Sequence, residues 1–252
     1  MVKRIKPSYK DVFHLDKLQK YKDISNSEQP ENYENKVVLK PWGYEYLIFE
    51  NEYVAAWFLH IKEGYSTSMH CHPNKKTSII LLSGNALCNT FEKRNYLKAM
   101  DGIILEKTVF HSTKALSKGG INLIEIETPP NKTDLVRLND KYGRQKMGYE
   151  GFTEMRSKNL EEFDYFYFMT PKPGESSLHS NKSYYIALEN NLLKKELHYK
   201  FDKGALYSLF KGSINDNKGN NLIEKGDTIK GEILSKKNIN FNENTLLLVV
   251  KN

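Results

Sequence analysis

Residues 64–84, GYSTSMHCHPNKKTSIILLSG, place two histidines one position apart inside a strand-like run that closes on a glycine turn. Residues i and i+2 of a β-strand share a face, so His70 and His72 point the same way and can reach one metal ion. Imidazole is the commonest protein ligand for Zn, Fe, Ni and Cu. A third histidine, His111, follows 39 positions after His72, near the start of another strand-like segment. The expectation is a metal site inside a β-barrel. Cys71, between the two histidines, points away from the ion by the same alternation. Cys88 is the only other cysteine, and neither has zinc-ribbon or CxxC spacing, which excludes a disulfide framework. The other histidines, His14, His60, His179 and His198, read as structural.

From Val37 the chain runs through short apolar strands, YEYLIFE, YVAAWFLHI, TSIILLS, ALCNTF and INLIEIET, separated by turns of the type ENE, KEG, SGN and KGG. Such spacing indicates a sandwich or closed barrel. Sixteen Tyr and 12 Phe favour strands as well. Ahead of the strands, residues 8–24 read as a helix with Ser8 as N-cap and Val12, Leu15 and Leu18 at helical spacing. A polar linker follows at 25–35. After TPP at 128–130, TDLVRLNDKYGRQ reads as a short helix capped by Thr133. Residues 145–182, rich in Gly, Pro, Ser and Lys, read as a junction.

Strand patterns resume from Ser183 with SYYIALE, ALYSLFKG, DTIKGEIL and TLLLVV. LFKG at 209–212 resembles LLSG at 81–84, and EKGD at 224–227 resembles AMDG at 99–102, both offset by about half the chain, as in a repeated domain. The expected organisation is mainly β: helix and linker at 1–36, a metal-binding barrel at 37–146, a junction at 147–182 and a second barrel at 183–252. The second half has no HxH, and no histidine follows Asp227, so it is expected to bind no metal.

The net charge is +7 and the pI about 9.1, but the lysines are scattered rather than striped. That reads as a solvated surface and not a nucleic-acid site, while small anionic ligands remain compatible. The N-terminal region lacks the apolar core of a signal peptide, and no apolar run reaches the ~18 residues of a membrane span. A soluble cytoplasmic protein without membrane contact is expected.

The 64–84 segment resembles the first motif of the cupins: Gly64, five residues, His70, one residue, His72, then a gap, a position usually held by Glu, six residues and Gly84. Thr77 stands at the Glu position, so the usual three His and one Glu become three His. His111 falls in the histidine slot of the second motif, where Glu106, Thr108 and Ala115 replace the usual Pro, Gly and Asn, and Asp101–Gly102 reverses the usual order. KPWGYEYL at 40–47, LIEIETPP and DLVRLNDKYGR at 134–144 further resemble the cupin domain of type II mannose-6-phosphate isomerases; the guanylyltransferase domain often fused to it is absent. The resemblance implies two jelly-roll barrels behind a short N-terminal helical segment. It also implies one divalent transition metal (Zn, Fe, Mn or Ni) on His70, His72 and His111. Glu125 and Glu127, on one face of INLIEIET, are candidate bases and Tyr65 a candidate acid. Lys40, Arg137 and Arg144 are candidate phosphate ligands, with Trp42 a surface for a sugar ring. Arg137 and Arg144 read equally well as structural partners of Asp134 and Asp140 at helical spacing. The implied function is isomerisation or epimerisation of a sugar phosphate or nucleotide sugar in surface-polysaccharide precursor synthesis, by a homodimer. The alternatives are a three-His non-haem iron dioxygenase and a non-catalytic sugar-binding cupin.

Overall fold

The computed structural model describes residues 1–20, 28–145, 147–191, 200–236, 239–241 and 245–252. The first part comprises strand β1 (Val2–Ile5), helix α1 (Tyr9–Lys20) and strands β2 (Val37–Lys40), β3 (Gly43–Glu50), β4 (Ala55–Ile61), β5 (Met69–Cys71), β6 (Lys76–Ser83), β7 (Asn85–Thr90), β8 (Arg94–Lys98), β9 (Gly102–Leu105), β10 (His111–Ala115), β11 (Ile121–Thr128), β12 (Val136–Asn139) and β13 (Met155–Arg156). They form an eight-stranded sheet in the order β1-β9-β6-β11-β4-β3-β2-β13 and a five-stranded sheet in the order β12-β5-β10-β7-β8.

Alternation decides where the core sits. Leu47, Trp57, Leu59, Ile79, Leu81, Ile103 and Leu123 of the large sheet meet Ala86, Cys88, Leu97 and Ala115 of the small one in a single buried cluster between the sheets. The intervening residues, among them Tyr46, Ile48, Phe58, Ile80, Leu82, Ile124 and Ile126, form a second apolar layer on the opposite face of the large sheet. Burial on both faces explains why β6 reads as an unbroken apolar run and not as an alternating one.

What covers that second layer is the rest of the chain. Strands β14 (Ser176–Ser180), β15 (Tyr185–Asn191), β16 (Leu206–Lys211), β17 (Ile214–Asp216), β18 (Thr228–Lys230), β19 (Ile239–Phe241) and β20 (Thr245–Lys251), with the one-turn helix α2 (Gly231–Leu234), make a sheet ordered β14-β15-β20-β16-β18 and a β17-β19 ribbon. Ile186, Leu188, Leu206, Phe210, Leu248 and Val250 pack on the outer face of the large sheet, the rings of Phe49 and Phe210 stacking at 5.4 Å. The sheet's other face, with Ala187, Tyr207, Leu209, Leu247 and Val249, builds its own cluster with Ile214, Ile223 and Leu234. Polar ties reinforce the junction: Lys76 pairs with Asp227 at 2.6 Å, Arg4 also pairs with Asp227, and the Ser78 hydroxyl donates to the Gly226 carbonyl at 2.6 Å.

Several expectations change. Residues 134–144 form no helix: Val136–Asn139 is a strand antiparallel to β5, followed by a turn in which Asp140 accepts the N–H groups of Tyr142 and Arg144. Thr133 caps nothing, because its N–H and hydroxyl donate to Asn131 Oδ1 in a local turn. Pairing with β5 satisfies this backbone along an exposed sheet edge, which outweighs the helical spacing of the Arg and Asp side chains. DTIKGEIL is only half a strand, since Gly231–Leu234 is helical. Helix α1 spans Tyr9–Lys20, and the remainder of the expected helix, with the start of the linker, lies in 21–27 outside the described residues. Its cap is as expected: Ser8 N–H donates to Asp11 Oδ2 at 2.6 Å and Asp11 N–H returns to Ser8 Oγ at 3.4 Å, a reciprocal capping box. The junction segment contributes β13 to the large sheet, and Phe168 is buried in the apolar layer beneath the second sheet. No helix among the described residues is long and apolar enough to cross a membrane.

Candidate metal centre

The short strand β5 lies between β10 and β12, where His70 is in register with His111 on one side and Arg137 on the other. Paired residues of neighbouring strands share a face, so all three side chains turn inward. Cys71 turns outward into a cluster with Leu15, Phe110 and Val136, beneath α1. His72, one pleat beyond His70, completes the group: the ligand atoms of His70, His72 and His111 all lie within 4.8 Å of one another.

Their hydrogen bonds select the face each ring presents. Nδ1 of His70 bonds the Ser68 carbonyl at 2.8 Å, that of His72 the Asp134 carbonyl at 2.6 Å and that of His111 the Val109 carbonyl at 2.9 Å. Since a carbonyl only accepts, each Nδ1 carries the proton and each Nε2 keeps its lone pair, the state a metal requires. Nε2 of His72 and of His111 are buried without a hydrogen-bond partner. Burial pushes all three imidazoles toward the neutral form, His70 and His72 well below the ordinary histidine value and His111 down to about 4. Three neutral imidazoles, two with orphaned buried nitrogens, fit one transition-metal ion. Thr77 stands opposite Glu127 in register, and its Oγ1 is buried without a partner.

Beside the histidines lies a cavity of about 60 Å³, walled by Lys40, Trp42, Glu45, Lys75, Glu125, Glu127, Lys132, Arg137, Arg144, Tyr149 and Glu150 together with His70 and His72. Its charges are interlocked. Glu127, 1% exposed, is shared by Lys75 at 2.9 Å and Lys132 at 3.2 Å. Glu45 is shared by Lys132 at 3.0 Å and Lys40 at 3.4 Å, and accepts from the Tyr149 hydroxyl. Glu150 takes Lys40, Arg137 and Arg144, the last also paired with Asp140 at 2.8 Å. Burial would raise the Glu45 carboxyl, but Lys132, Lys40 and the Tyr149 hydrogen bond bring it down to about 2. Glu125 is different. It has no hydrogen bond or ion pair among the described residues, and burial, opposed by Lys132 and aided by Glu127, pushes it up to about 7.

Lys40, Trp42, Glu125, Glu127, Arg137 and Arg144 therefore share one cavity with His70 and His72, and His111 closes the triad. Tyr65 does not join them. It is 45% exposed and lines a separate cleft with Glu63, Gly64, Ser66, Lys141 and Tyr142, because the turn before β5 carries it past the barrel mouth. The pairing of Arg144 with Asp140 holds, across a turn and not a helix; Arg137 instead donates to the Met147 and Gly148 carbonyls. Lys75, Lys132, Glu45, Tyr149 and Glu150 are additions from the structure. Glu45 was within reach of the sequence, because it shares strand parity with the inward-facing Leu47. The glycine of KPWGYE has a plain cause: a Cβ on Gly43 would stand 1.9 Å from the His60 carbonyl oxygen.

No protein-family model matches the chain, and no curated protein matches it. Among solved structures it is similar to KdgF from Halomonas sp., at 14% identity and a TM-score of 0.35 over 37% of this chain and 85% of that one. A protein with a double-stranded β-helix domain from Klebsiella pneumoniae gives 18% identity and a TM-score of 0.35 over 49% of this chain and 95% of that one. An RmlC-like cupin from Shewanella frigidimarina gives 16% and 0.32 over 42% and 86%. Two of these three neighbours are described as a double-stranded β-helix protein and a cupin, and each of the three matches less than half of this chain.

Proposed function

We propose that this chain is a metal-dependent cupin enzyme that isomerises or epimerises a sugar phosphate or nucleotide sugar, in the manner of type II mannose-6-phosphate isomerases and their role in surface-polysaccharide precursors. Residues 37–146 carry the chemistry and residues 183–252 form a metal-free companion barrel. The observation that most supports this reading is the presence in one cavity of converging histidine Nε2 atoms and an unpaired carboxyl, Glu125, pushed up to about 7 by burial. His70, His72 and His111 would hold one divalent ion, Zn, Fe, Mn or Ni, which when bound polarises a carbonyl or hydroxyl oxygen. Isomerisation and epimerisation next to a carbonyl each take one proton from carbon and return one, and a carboxyl with its pKa near the working pH serves both directions. Glu127 is held by Lys75 and Lys132 in two ion pairs, and its proximity helps keep the Glu125 proton affinity high.

A cavity of about 60 Å³ admits the reacting end of a sugar and little more, since whole-ligand pockets run to roughly 300–1,000 Å³. The phosphate or nucleotide then lies outside, which agrees with Lys40, Arg137 and Arg144 being committed to Glu45, Glu150 and Asp140. The test is metal analysis of protein purified without added metal, followed by incubation with a panel of sugar phosphates and nucleotide sugars in D2O. Deuterium entering the carbon next to the carbonyl, in a metal-dependent reaction lost in Glu125→Gln, is the expected result. Oxygen uptake with bound iron would replace this reading by the dioxygenase, and ligand binding without turnover by the sugar-binding cupin.

A further inference from the structure

The strands that bring His70 and His111 inward turn their alternate residues onto the outer face of the small sheet. Met69 precedes His70 and is in register with Asn139 of β12, while Ser112 follows His111 and is in register with Asn89 of β7. Lys114, two positions beyond Ser112 on the same face, is bridged to Ser66. With Thr67, Ser68 and Lys141 these residues line a groove of about 250 Å³. It shares only Thr67 and Ser68 with the cavity beside the histidines, which lies on the inner face.

The polar groups of this groove are unspent. Among the described residues, the side chains of Ser66, Asn89, Ser112, Lys114 and Lys141 take part in no hydrogen bond or ion pair, although Ser112 is only 9% exposed. Asn139 accepts at Oδ1 from Gln145 at 3.4 Å and keeps its amide N–H groups. No carboxylate lines the groove. Two acids stand near it. Asp140 is paired with Arg144, whereas Glu63 accepts the Gly119 N–H at 3.3 Å, has no ion pair among the described residues, and lines the adjoining cleft with Lys141. Arg94, in register with Asn89 across β7 and β8, adds a third cation at the rim. Counting Glu63 in full against Lys114, Lys141 and Arg94 still leaves positive charge. Lys40, Arg137 and Arg144 on the inner face are, by contrast, all taken up by carboxylates.

We propose that this groove is a second binding site, separate from the metal centre, and that it takes a phosphate monoester. Such a group carries about −1.5 to −2 charge at pH 7 and three strong acceptor oxygens. The ammonium groups of Lys114 and Lys141 balance that charge. The hydroxyls of Ser66 and Ser112 and the amide N–H groups of Asn89 and Asn139 supply the neutral donors. A carboxylate, with one charge and two oxygens, would leave one lysine and several donors unmatched. The site stands whether or not an ion occupies the histidines, because none of its side chains reaches the inner face except at the shared wall of Thr67 and Ser68.

The experiment uses full-length protein stripped of metal with a chelator and then desalted, so that no anion can register through an ion on the histidines. Methyl phosphate and acetate are titrated separately by isothermal calorimetry at pH 7.5 and one ionic strength. Methyl phosphate is expected to bind with a Kd at least about ten-fold below that of acetate. Replacing Lys114 and Lys141 together by Gln should weaken methyl phosphate at least about ten-fold, and replacing both by Arg should keep it. Ser112→Ala should weaken it several-fold. Absence of methyl phosphate binding to the wild-type protein overturns the site. Wild-type affinity in the Lys114→Gln, Lys141→Gln protein overturns its location, and acetate binding as tightly as methyl phosphate overturns the phosphate assignment.

Discussion

Acidification of the metal-free protein should reveal the buried histidines directly. In the unfolded chain an imidazole titrates near 6.5, whereas His111 in the folded protein is held down to about 4 by burial. As the pH falls from 6.5 toward 4, the unfolded chain takes up a proton that folded His111 refuses, so acid favours unfolding. Stability is full above 6.5 and declines below it. Each pH unit in the window costs about 1.4 kcal/mol per such group, and between pH 6.5 and 5 His111 alone accounts for about 2 kcal/mol. His70 and His72, lowered further and by the same cause, add losses of the same sign. The assay is urea unfolding with a chelator present, at half-unit steps from pH 7.5 to 5, on the wild type and on His111→Gln. Because carboxylates titrate in both proteins, the difference between the two profiles isolates the imidazole. The variant's curve should be flatter by about 2 kcal/mol over the window. Parallel profiles would refute the buried neutral state on which the metal site depends.

Three further outcomes are expected. Replacing both His70 and His72 by Ala should abolish metal binding, which metal analysis after dialysis checks; one equivalent retained would remove the site. Thr77→Glu places a carboxylate on the inward face opposite Glu127 and should tighten metal binding at least about ten-fold in a competitive chelator titration, whereas unchanged affinity would mean that the side chain does not reach the ion. Gly43→Ala drives a Cβ against the His60 carbonyl oxygen at 1.9 Å; the expected loss is about 3 kcal/mol or more in urea unfolding, and wild-type stability would refute the packing.

The histidine pair was legible because strand alternation is a strict period of two, and the flanking Gly64 and Gly84 mark turns with positive φ. His111 was legible only as a candidate, since its alignment with His70 depends on the register between β5 and β10, a long-range property. The misread helix at 134–144 shows the opposite case. Arg and Asp four apart suit a helix, but Val136 is buried and Arg137 faces His70, an alternation settled by the pairing partner β5. Lys75 and Lys132 sit in turns that read as solvated loops, HPNKKT and PPNKT, yet they are 1% exposed and buried over Trp57 respectively. Their burial is set by carboxylates from distant strands, and no local pattern carries that information. Strand β1, four residues long and parallel to β9, was likewise invisible because its partner lies about a hundred positions away.

The shared apolar layer has a consequence for how the molecule comes apart. Phe49, Phe58, Ile80 and Ile124 on one sheet are covered by Ile186, Leu206, Phe210 and Leu248 from the other, so neither sheet has a finished exterior of its own. Peeling away the C-terminal strands would leave a broad oily face on the histidine-bearing half, and would release Lys76 and Ser78, which follow the metal motif directly, from their anchors on Asp227 and Gly226. Shortening the gene to the histidine-bearing half would therefore yield a sticky fragment and not a self-sufficient domain. The two halves are expected to melt in one event, and the three histidines are secured by chain that contributes none of them.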